Sequence, residues 1–266
     1  MNKLTVFGGN GFIGSRIMEL STEHGYEAVR GDWKNLSFTE DMGDIVYCLG
    51  VGDCGKPYDV INSHLNILQE ILIHATFRRI TYVSSTRVYM AGNNASENSA
   101  VKVIDKDDRK LFNLVKLTAE AMLEKSSCDY RIVRPSNVFG TALNSPLFLP
   151  SIIRDAIQKN EVNMFVPHEY EKDYVYVDDV ASMILKITKN SKKHKYNIAS
   201  GENTSAIEIA TILQKETDCK VNWHKSDCDD EFPVTDINAI KKEFGFSPHM
   251  AKDLIALMIE NFKTKL

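Results

Sequence analysis

No stretch of this chain approaches the roughly 20 consecutive apolar residues that a membrane-crossing helix requires, so no membrane span is expected. Basic patches are equally scarce. The one dense basic run, Lys192-Lys193-His194-Lys195, reads as a solvated loop, and with a net charge of -4 nothing points to a nucleic acid partner. The two tryptophans, Trp33 and Trp223, stand alone, without the aromatic series that stacks single-stranded bases. Cysteine is sparse and odd in number. Cys48, Cys54, Cys128, Cys219 and Cys228 form no CxxC pair and no metal-ligand spacing, so no metal site and no disulfide framework is expected. Reduced thiols and a cytoplasmic location follow as expectations, with Cys48 packed in an apolar strand. His64, His74 and His168 also lack ligand spacing and read as packing or solvent-facing residues. Repeats, low-complexity tracts and long linkers are missing as well.

What is present is an ordinary globular composition, 43% hydrophobic and 26% charged over 266 residues, enough for one large domain with a small appended lobe. The first half alternates short apolar runs with longer amphipathic ones. Leu4-Thr5-Val6-Phe7 runs directly into glycines and reads as a first buried strand rather than a secretory signal. Further strands are expected at Tyr26 to Arg30, Ile45 to Leu49, Ile80 to Val83 and Tyr130 to Val133. Helices are expected at Phe12 to His24, Val60 to Ala75 and Leu111 to Lys125. Strands separated by helical crossovers imply a parallel sheet covered on both faces. The second half is less regular: helices from Leu149 to Lys159, from Asp178-Asp179 as an N-terminal cap to about Lys189, from Thr204 to Gln214 with a Ser/Thr-type cap, and from Ala251 to Phe262, with short strands at Tyr174 to Val177 and Tyr196 to Ala199. The expected fold class is α/β, a Rossmann-type, mostly parallel, doubly wound sheet with a small C-terminal lobe. Residues 1–140 would form the dinucleotide-binding domain and 141–266 the lobe, with 173–200 returning to the first. Between Asp32 and Ile45 the chain is too short for a full crossover helix and strand, so that edge of the sheet is expected to be trimmed or irregularly connected.

The glycines are concentrated where they carry chemistry. Gly8-Gly9-Asn10-Gly11-Phe12-Ile13-Gly14 follows a strand and opens a helix. In that context glycines allow a tight turn and a close backbone approach to a pyrophosphate, and the helix N-terminus offers unpaired N–H groups to the anion. Gly8, Gly11, Phe12, Ile13 and Gly14 are therefore candidate cofactor contacts. An acidic residue after the second strand would hold the adenosine ribose and favour NAD; Asp32 is the candidate, while Arg30 would suit the 2′-phosphate of NADP.

Six motifs in order resemble the extended short-chain dehydrogenase/reductases that act on nucleotide-sugars as epimerases, dehydratases and reductases. They are the glycine loop; the Asn-bearing helix of Asn62 through Leu68; Tyr82-Val83-Ser84-Ser85-Thr86-Arg87-Val88-Tyr89; Arg134-Pro135-Ser136-Asn137-Val138-Phe139-Gly140; Asp173-Tyr174-Val175-Tyr176-Val177-Asp178-Asp179-Val180; and Tyr196-Asn197-Ile198-Ala199-Ser200-Gly201. The resemblance implies NAD (or NADP) lying across the first-half sheet, contacted also by Leu49, Gly50, Ser84 and Pro135. It implies that the small C-terminal lobe is substrate-binding, holding a nucleotide-diphosphate sugar touched by Asn137. It further implies Ser85 as the hydroxyl-orienting serine, Lys116 as the lysine of the YxxxK helix that binds the nicotinamide ribose, with Glu120 continuing the pattern, and a homodimer formed through the helices Val60–Ala75 and Leu111–Lys125.

The chain departs from that pattern at its reacting centre. Phe112 occupies the position of the acid–base tyrosine, and a phenyl ring can neither give nor take a proton; loss of a positioned acid–base costs about 10²- to 10⁴-fold in rate. Three explanations are open: another base such as Tyr89, an introduced inactivating change, or a protein that binds cofactor or sugar nucleotide without turning it over. Thr86-Arg87 replaces the carboxylate pair of the dehydratases, so elimination of water is not expected. Met90 replaces the glycine after Tyr89, and no arginine near Phe232-Pro233 corresponds to the one that pairs with substrate phosphate in the family. The leading expectation is an epimerase or reductase of nucleotide-sugars. The alternatives are a catalytically inactive regulatory or partner protein and an atypical reductase of a small non-sugar substrate.

Overall fold

Short runs of β-branched and aromatic residues, buried on both faces, can only be satisfied inside a sheet covered by helices on each side. A computed structural model, which describes residues 1–142, 144–145, 147–226 and 230–265, shows this arrangement. Cys228 lies outside the described residues. In chain order the first half contains β1 (Asn2–Phe7), α1 (Phe12–Leu20), β2 (Tyr26–Arg30), β3 (Asp44–Tyr47), α2 (Pro57–Ile61), a π-helical turn (Asn62–Asn66), α3 (Ile67–His74), β4 (Arg79–Val83), a 3₁₀ turn (Thr86–Tyr89), α4 (Lys110–Lys125) and β5 (Tyr130–Pro135). The second half contains β6 (Asn137–Phe139), α5 (Phe148–Lys159), β7 (Glu161–Met164), β8 (Glu171–Tyr176), α6 (Val177–Asn190), β9 (Lys195–Ile198), β10 (Asn203–Ser205), α7 (Ala206–Thr217), β11 (Lys220–Trp223), α8 (Asn238–Phe244) and α9 (Ala251–Lys265).

The main sheet has six strands in the order β2-β1-β3-β4-β5-β9, each pair parallel. Alternate residues face opposite layers. Leu4, Val6, Val46, Val83 and Val133 meet Ile17 of α1 and Val180, Ile184 and Ile187 of α6. Phe7, Ile45, Tyr47, Ile80, Tyr82 and Ile132 meet Ile71 of α3 and Ala119 and Leu123 of α4. The shortened connection behaves as expected: residues 31–43 contain neither helix nor strand, and β2 is left as the edge. The chain leaves this sheet after β5 and comes back through α6 to add β9 beside it. Between these points and after them, β6, β8 and β10 form a three-stranded sheet, and β7 pairs with β11. Around these strands α5, α7 and α9 enclose a separate core of Ile152, Ile153, Val162, Leu213, Ile255 and Phe262.

Two local expectations need correction. The helix expected from Val60 to Ala75 is not uniform, because a π turn interrupts it at Asn62–Asn66. Asp178 and Asp179 do not cap α6. Its N-cap is Tyr176, without a side-chain cap, and both carboxylates lie in the first turn. Asp178 instead takes a bidentate bond from Arg16 of α1 (2.6 and 2.7 Å), and Asp179 accepts from the His249 backbone and ring (both 2.8 Å). The Ser/Thr cap of α7 is present, as a reciprocal box between Ser205 and Glu208. Among the described residues no helix is long and apolar enough to cross a membrane, and no group of three or more His, Cys, Asp or Glu is placed to hold a metal.

Candidate active site

The carboxyl ends of β1, β2 and β3 open onto a groove of about 600 Å³ lined by Gly8 to Gly11, Arg30 to Lys34 and Cys48 to Gly50. Ligands of open α/β sheets bind in the crevice beyond these strand ends. The loop's glycines are demanded by geometry. Gly8 has φ +88, and a Cβ on Gly14 would lie 2.1 Å from the Gly8 carbonyl oxygen. Gly11 is the N-cap of α1, which has no side-chain cap and no acidic residue in its first turn, so the first amides, from Phe12 and Ile13, are left for an anion. The side chain of Ile13 packs on the sheet, and that of Phe12 lies beneath Gly140. A glycine cradle backed by an uncapped helix end, with no acidic residue in that helix's first turn, fits a dinucleotide pyrophosphate.

Both candidates for reading the adenosine ribose line this groove. Asp32 spends its oxygens on the turn that follows, accepting from the Asn35 side chain (3.0 Å) and from the backbones of Lys34 (3.0 Å) and Asn35 (3.2 Å). These bonds hold its pKa below the usual carboxylate range. The Arg30 stem lies against Gly9. Trp33 is 38% exposed and walls the same groove, a role that an isolated tryptophan does not advertise in sequence. Cys48 is structural: its thiol donates to the Phe7 carbonyl (3.1 Å), and burial pushes its pKa up to about 12. Leu49 and Gly50 sit at the groove's inner end.

There the reacting corner begins. Ser85 N-caps the 3₁₀ turn, its Oγ accepting from the Arg87 amide (3.1 Å), which leaves its O–H able to donate. Phe112 and Lys116 are one helical turn apart on α4, with the Lys116 Nζ 5.5 Å from the Phe112 ring centroid. Lys116 is buried and donates to the Val83 carbonyl (2.7 Å), two residues before Ser85. Burial pushes its pKa down to about 7, against the opposing pull of Glu120 and Cys48. Ser84, expected to contact the cofactor, turns its hydroxyl away to Glu120 (2.5 Å). Pro135, expected likewise, is buried at the end of β5 beside Ile198.

His64 was missed as a member of this corner. It comes from the π turn, is 1% exposed, and meets Phe112 edge to face with ring centroids 5.8 Å apart. Its Nε2 pairs with the Val51 carbonyl (3.2 Å), while Ser63 Oγ accepts from the Val51 amide (3.0 Å), so the π turn pins the loop after β3. A Cβ on Gly50 would come within 2.2 Å of the ring. Burial, then the charge of Lys116, depresses the His64 pKa to about 3 and keeps the imidazole neutral.

Tyr89, the alternative base named from the sequence, is excluded by its surroundings. It is 1% exposed, donates to Asn197 (2.9 Å) and accepts from Arg134 (2.6 Å). Arg134 in turn pairs with Glu120, each 3% exposed. Burial opposes ionisation of Glu120, but Arg134 and Ser84 outweigh it and hold the carboxyl below its usual range. This network under the corner explains why Glu120 follows Lys116 at one-turn spacing.

Across the cleft, the second half forms a pocket of about 340 Å³. Val138, Phe148, Leu149 and Pro150 give it an apolar wall, and Asn137, Lys172, Tyr170 and Arg109 add polar groups. Asn137 donates to the Asp173 carbonyl (2.8 Å). Arg109, at the start of α4, lies over Phe112 and joins this pocket to the corner. A larger hollow of about 670 Å³ among Lys186, Lys189, Lys192 and Lys242 lies at the amino end of the sheet, away from this chemistry.

Comparison with known proteins agrees with this arrangement. The model of the NAD dependent epimerase/dehydratase family matches residues 4–199. GDP-mannose 3,5-epimerase 1 of Oryza sativa subsp. indica is 23% identical over 295 residues, covering 93% of this chain and 78% of that protein. UDP-glucose 4-epimerase of Thermotoga maritima, solved with UDP-glucose, superposes with a TM-score of 0.82 at 19% identity and 99% coverage of both chains. UDP-glucuronic acid 4-epimerase of Bacillus cereus, solved with UDP-glucuronic acid and NAD, superposes with a TM-score of 0.81 at 16% identity, covering 99% of this chain and 100% of that one. With its glycine cradle, parallel sheet and Ser85–Lys116 corner, the chain belongs to the NAD dependent epimerase/dehydratase family.

Proposed function

We propose that this protein is an NAD-dependent epimerase of nucleotide-diphosphate sugars. The observation that carries the reading is that the glycine-lined groove, reaching Gly50 against His64, and the separate mixed apolar and polar pocket, reaching Arg109, both end at the Phe112 ring, one helical turn from Lys116. NAD held there would supply reversible hydride acceptance for a sugar carbon. Gly8, Gly11, Gly14 and the first amides of α1 would hold its pyrophosphate, Asp32 and Trp33 would flank its adenosine end, and Leu49 and Gly50 would line its inward path. The base and diphosphate of the substrate lie in the pocket beside Asn137, which brings the sugar over Ser85.

Ser85 donates its hydroxyl hydrogen to the reacting sugar oxygen and orients it. With phenylalanine at position 112 the proton of that oxygen needs another acceptor, and Lys116 is the group suited to it. Burial that pushes the amine down to about 7 leaves a substantial neutral fraction near neutrality, able to take a proton and give it back. The rings of Tyr82 and Phe112 flank this amine, their centroids 5.0 and 5.5 Å from Nζ. With no carboxylate at Thr86 or Arg87, no acid stands ready to expel a sugar hydroxyl, which favours epimerisation or reduction over dehydration.

We also propose that the protein is a homodimer. Tyr58, Ile61, Ile73 and Leu114, on α2, α3 and α4, are exposed apolar residues, Tyr58 at 84% and Ile73 at 62%. Light scattering at micromolar concentration should give twice the chain mass. The activity is tested by incubating the protein with NAD and a panel of nucleotide-sugars and resolving the products by chromatography. Conversion of one sugar to its epimer is expected. No turnover by the native chain, with turnover gained in Phe112→Tyr, would instead mean a binding protein.

A further inference from the structure

The segment that passes Phe232-Pro233 carries no arginine toward the pocket. It presents a ring instead: Phe232 lies between Arg87, whose guanidinium carbon is 6.0 Å from the ring centroid, and Lys172, whose Nζ is 4.7 Å away. The positive charge for a substrate anion must come from another element. Arg109 is placed to supply it. Its backbone amide is anchored on Asp107 Oδ1 (2.9 Å) at the start of α4. Its guanidinium carbon stacks 4.6 Å from the centroid of Phe112, and one Nη lies 3.7 Å from where a Cβ on Gly52 would stand.

The nearby carboxylates are spoken for. Asp107 Oδ1 accepts from Arg87 Nη2 (2.7 Å) and Asp107 Oδ2 from Asn113 (3.0 Å), while Asp230 faces Arg87 Nη1 (3.7 Å). Among the described residues the Arg109 guanidinium makes no hydrogen bond or ion pair. Partial burial, followed by repulsion from Arg87, disfavours its charge. A guanidinium held on an aromatic face, shielded on one side and open to a ligand pocket on the other, gains most from an anion with two oxygens to meet its fork.

We propose that Arg109 is the anion-binding residue of the substrate pocket, taking an oxyanion group of the nucleotide-sugar close to the reacting carbon. This rests on the nucleotide-sugar reading of the same pocket. Two groups of that chemistry lie near a reacting sugar, the β-phosphate and a carboxylate on the sugar itself. Arg109 therefore does two things at once. It clamps the substrate and, by stacking on Phe112, fixes the ring that replaces the acid–base phenol. The stacking requires an aromatic residue at 112 but not its hydroxyl.

The test is calorimetric titration of native protein, Arg109→Met and Arg109→Lys with UDP, UDP-glucose, UDP-glucuronate and inorganic pyrophosphate, with NAD binding as the control for folding. Arg109→Met should weaken UDP, UDP-glucose and pyrophosphate by about 10- to 100-fold with NAD affinity unchanged, which assigns the phosphate. A loss confined to UDP-glucuronate assigns the sugar carboxylate. Arg109→Lys, which keeps the charge and loses the fork, should fall between native and Met. Less than twofold change with all four probes overturns the proposal. If the native chain binds pyrophosphate through Arg109 but neither the uridine compounds nor GDP-mannose, added as a further ligand, the anion site stands and the nucleotide-sugar reading fails.

Discussion

The glycine loop and the Phe112 corner face the same cleft but hold their shapes by different means. The loop is made of backbone. Its φ of +88 at Gly8 and the close approach of Gly8 and Gly14 are set by a few consecutive residues, and the donors it offers are the amides at the uncapped end of α1. The corner is made of side chains from the π turn, the end of β4 and α4, held on the backbone carbonyls of Val83 and Val51 and supported from below by Glu120 and Arg134. The difference teaches why one half of the site can be replaced and the other cannot. A backbone cradle leaves little choice of residue. A side-chain corner leaves more choice: the contacts of Phe112 with His64, Lys116 and Arg109 are ring contacts that another aromatic residue could make.

Perturbing each side tests this contrast. The largest effect is expected beneath the corner. Glu120→Ala leaves Arg134 buried and unpaired and should cost about 3–5 kcal/mol of stability, read from urea unfolding. A cost under 1 kcal/mol would mean that the network is not what supports the corner. Phe112→Tyr restores a phenol and should raise turnover by about 10²-fold without altering NAD affinity, measured by steady-state kinetics and fluorescence titration. A fall in rate would show the corner to be tuned for the phenylalanine. Gly14→Ala acts on the backbone side. A Cβ 2.1 Å from a carbonyl oxygen forces the loop to move, which should cost about 1–3 kcal/mol and weaken NAD binding, while nucleotide-sugar binding by the second half is kept.

The pH dependence is a subtler probe. Lys116 accepts a proton only when neutral, so the rate of sugar oxidation should rise as pH passes through about 7 and level off above it. The same depressed pKa makes its contribution to stability improve as pH rises from about 7 toward the ordinary lysine value, because over that range the unfolded chain holds a proton that the folded chain does not. A kinetic limb that survives in Lys116→Met, measured on its residual activity, would move the role elsewhere. The smallest effect is expected at Asp32. Because its oxygens already serve the turn at Asn35, Asp32→Asn should change the preference for NAD over NADP by only a few fold, read from the two dissociation constants.

The parts of the site that could be read in the sequence are those built from consecutive residues. The glycine loop follows from spacing alone, as do the alternation of β1, β3, β4 and β5 and the one-turn step from Phe112 to Lys116. The Asn62–Asn66 π turn was hidden, because the apolar spacing on either side of it still matches a regular helix. The short strands β6, β7, β10 and β11 were hidden as well. Lys220–Trp223 becomes a strand only because Glu161–Met164 lies alongside it, and no local pattern records that pairing. Asp178 and Asp179 looked like a cap, since acidic residues at a helix start serve that role; Arg16 and His249, distant in sequence, claimed them instead.

By itself, then, the sequence determined the glycine turn after β1, the parallel sheet and the one-turn spacing of Phe112 and Lys116, because turn chemistry, periodicity and residue identity act over a few neighbouring residues. Only the tertiary structure decided that Tyr89 is locked in a buried network, that His64 lines the corner, and that Arg109 stands over Phe112 without a carboxylate partner. Those outcomes depend on which charges meet across the fold. Asp107 and Asp230 are directed to Arg87 by packing, and that leaves Arg109 for the substrate.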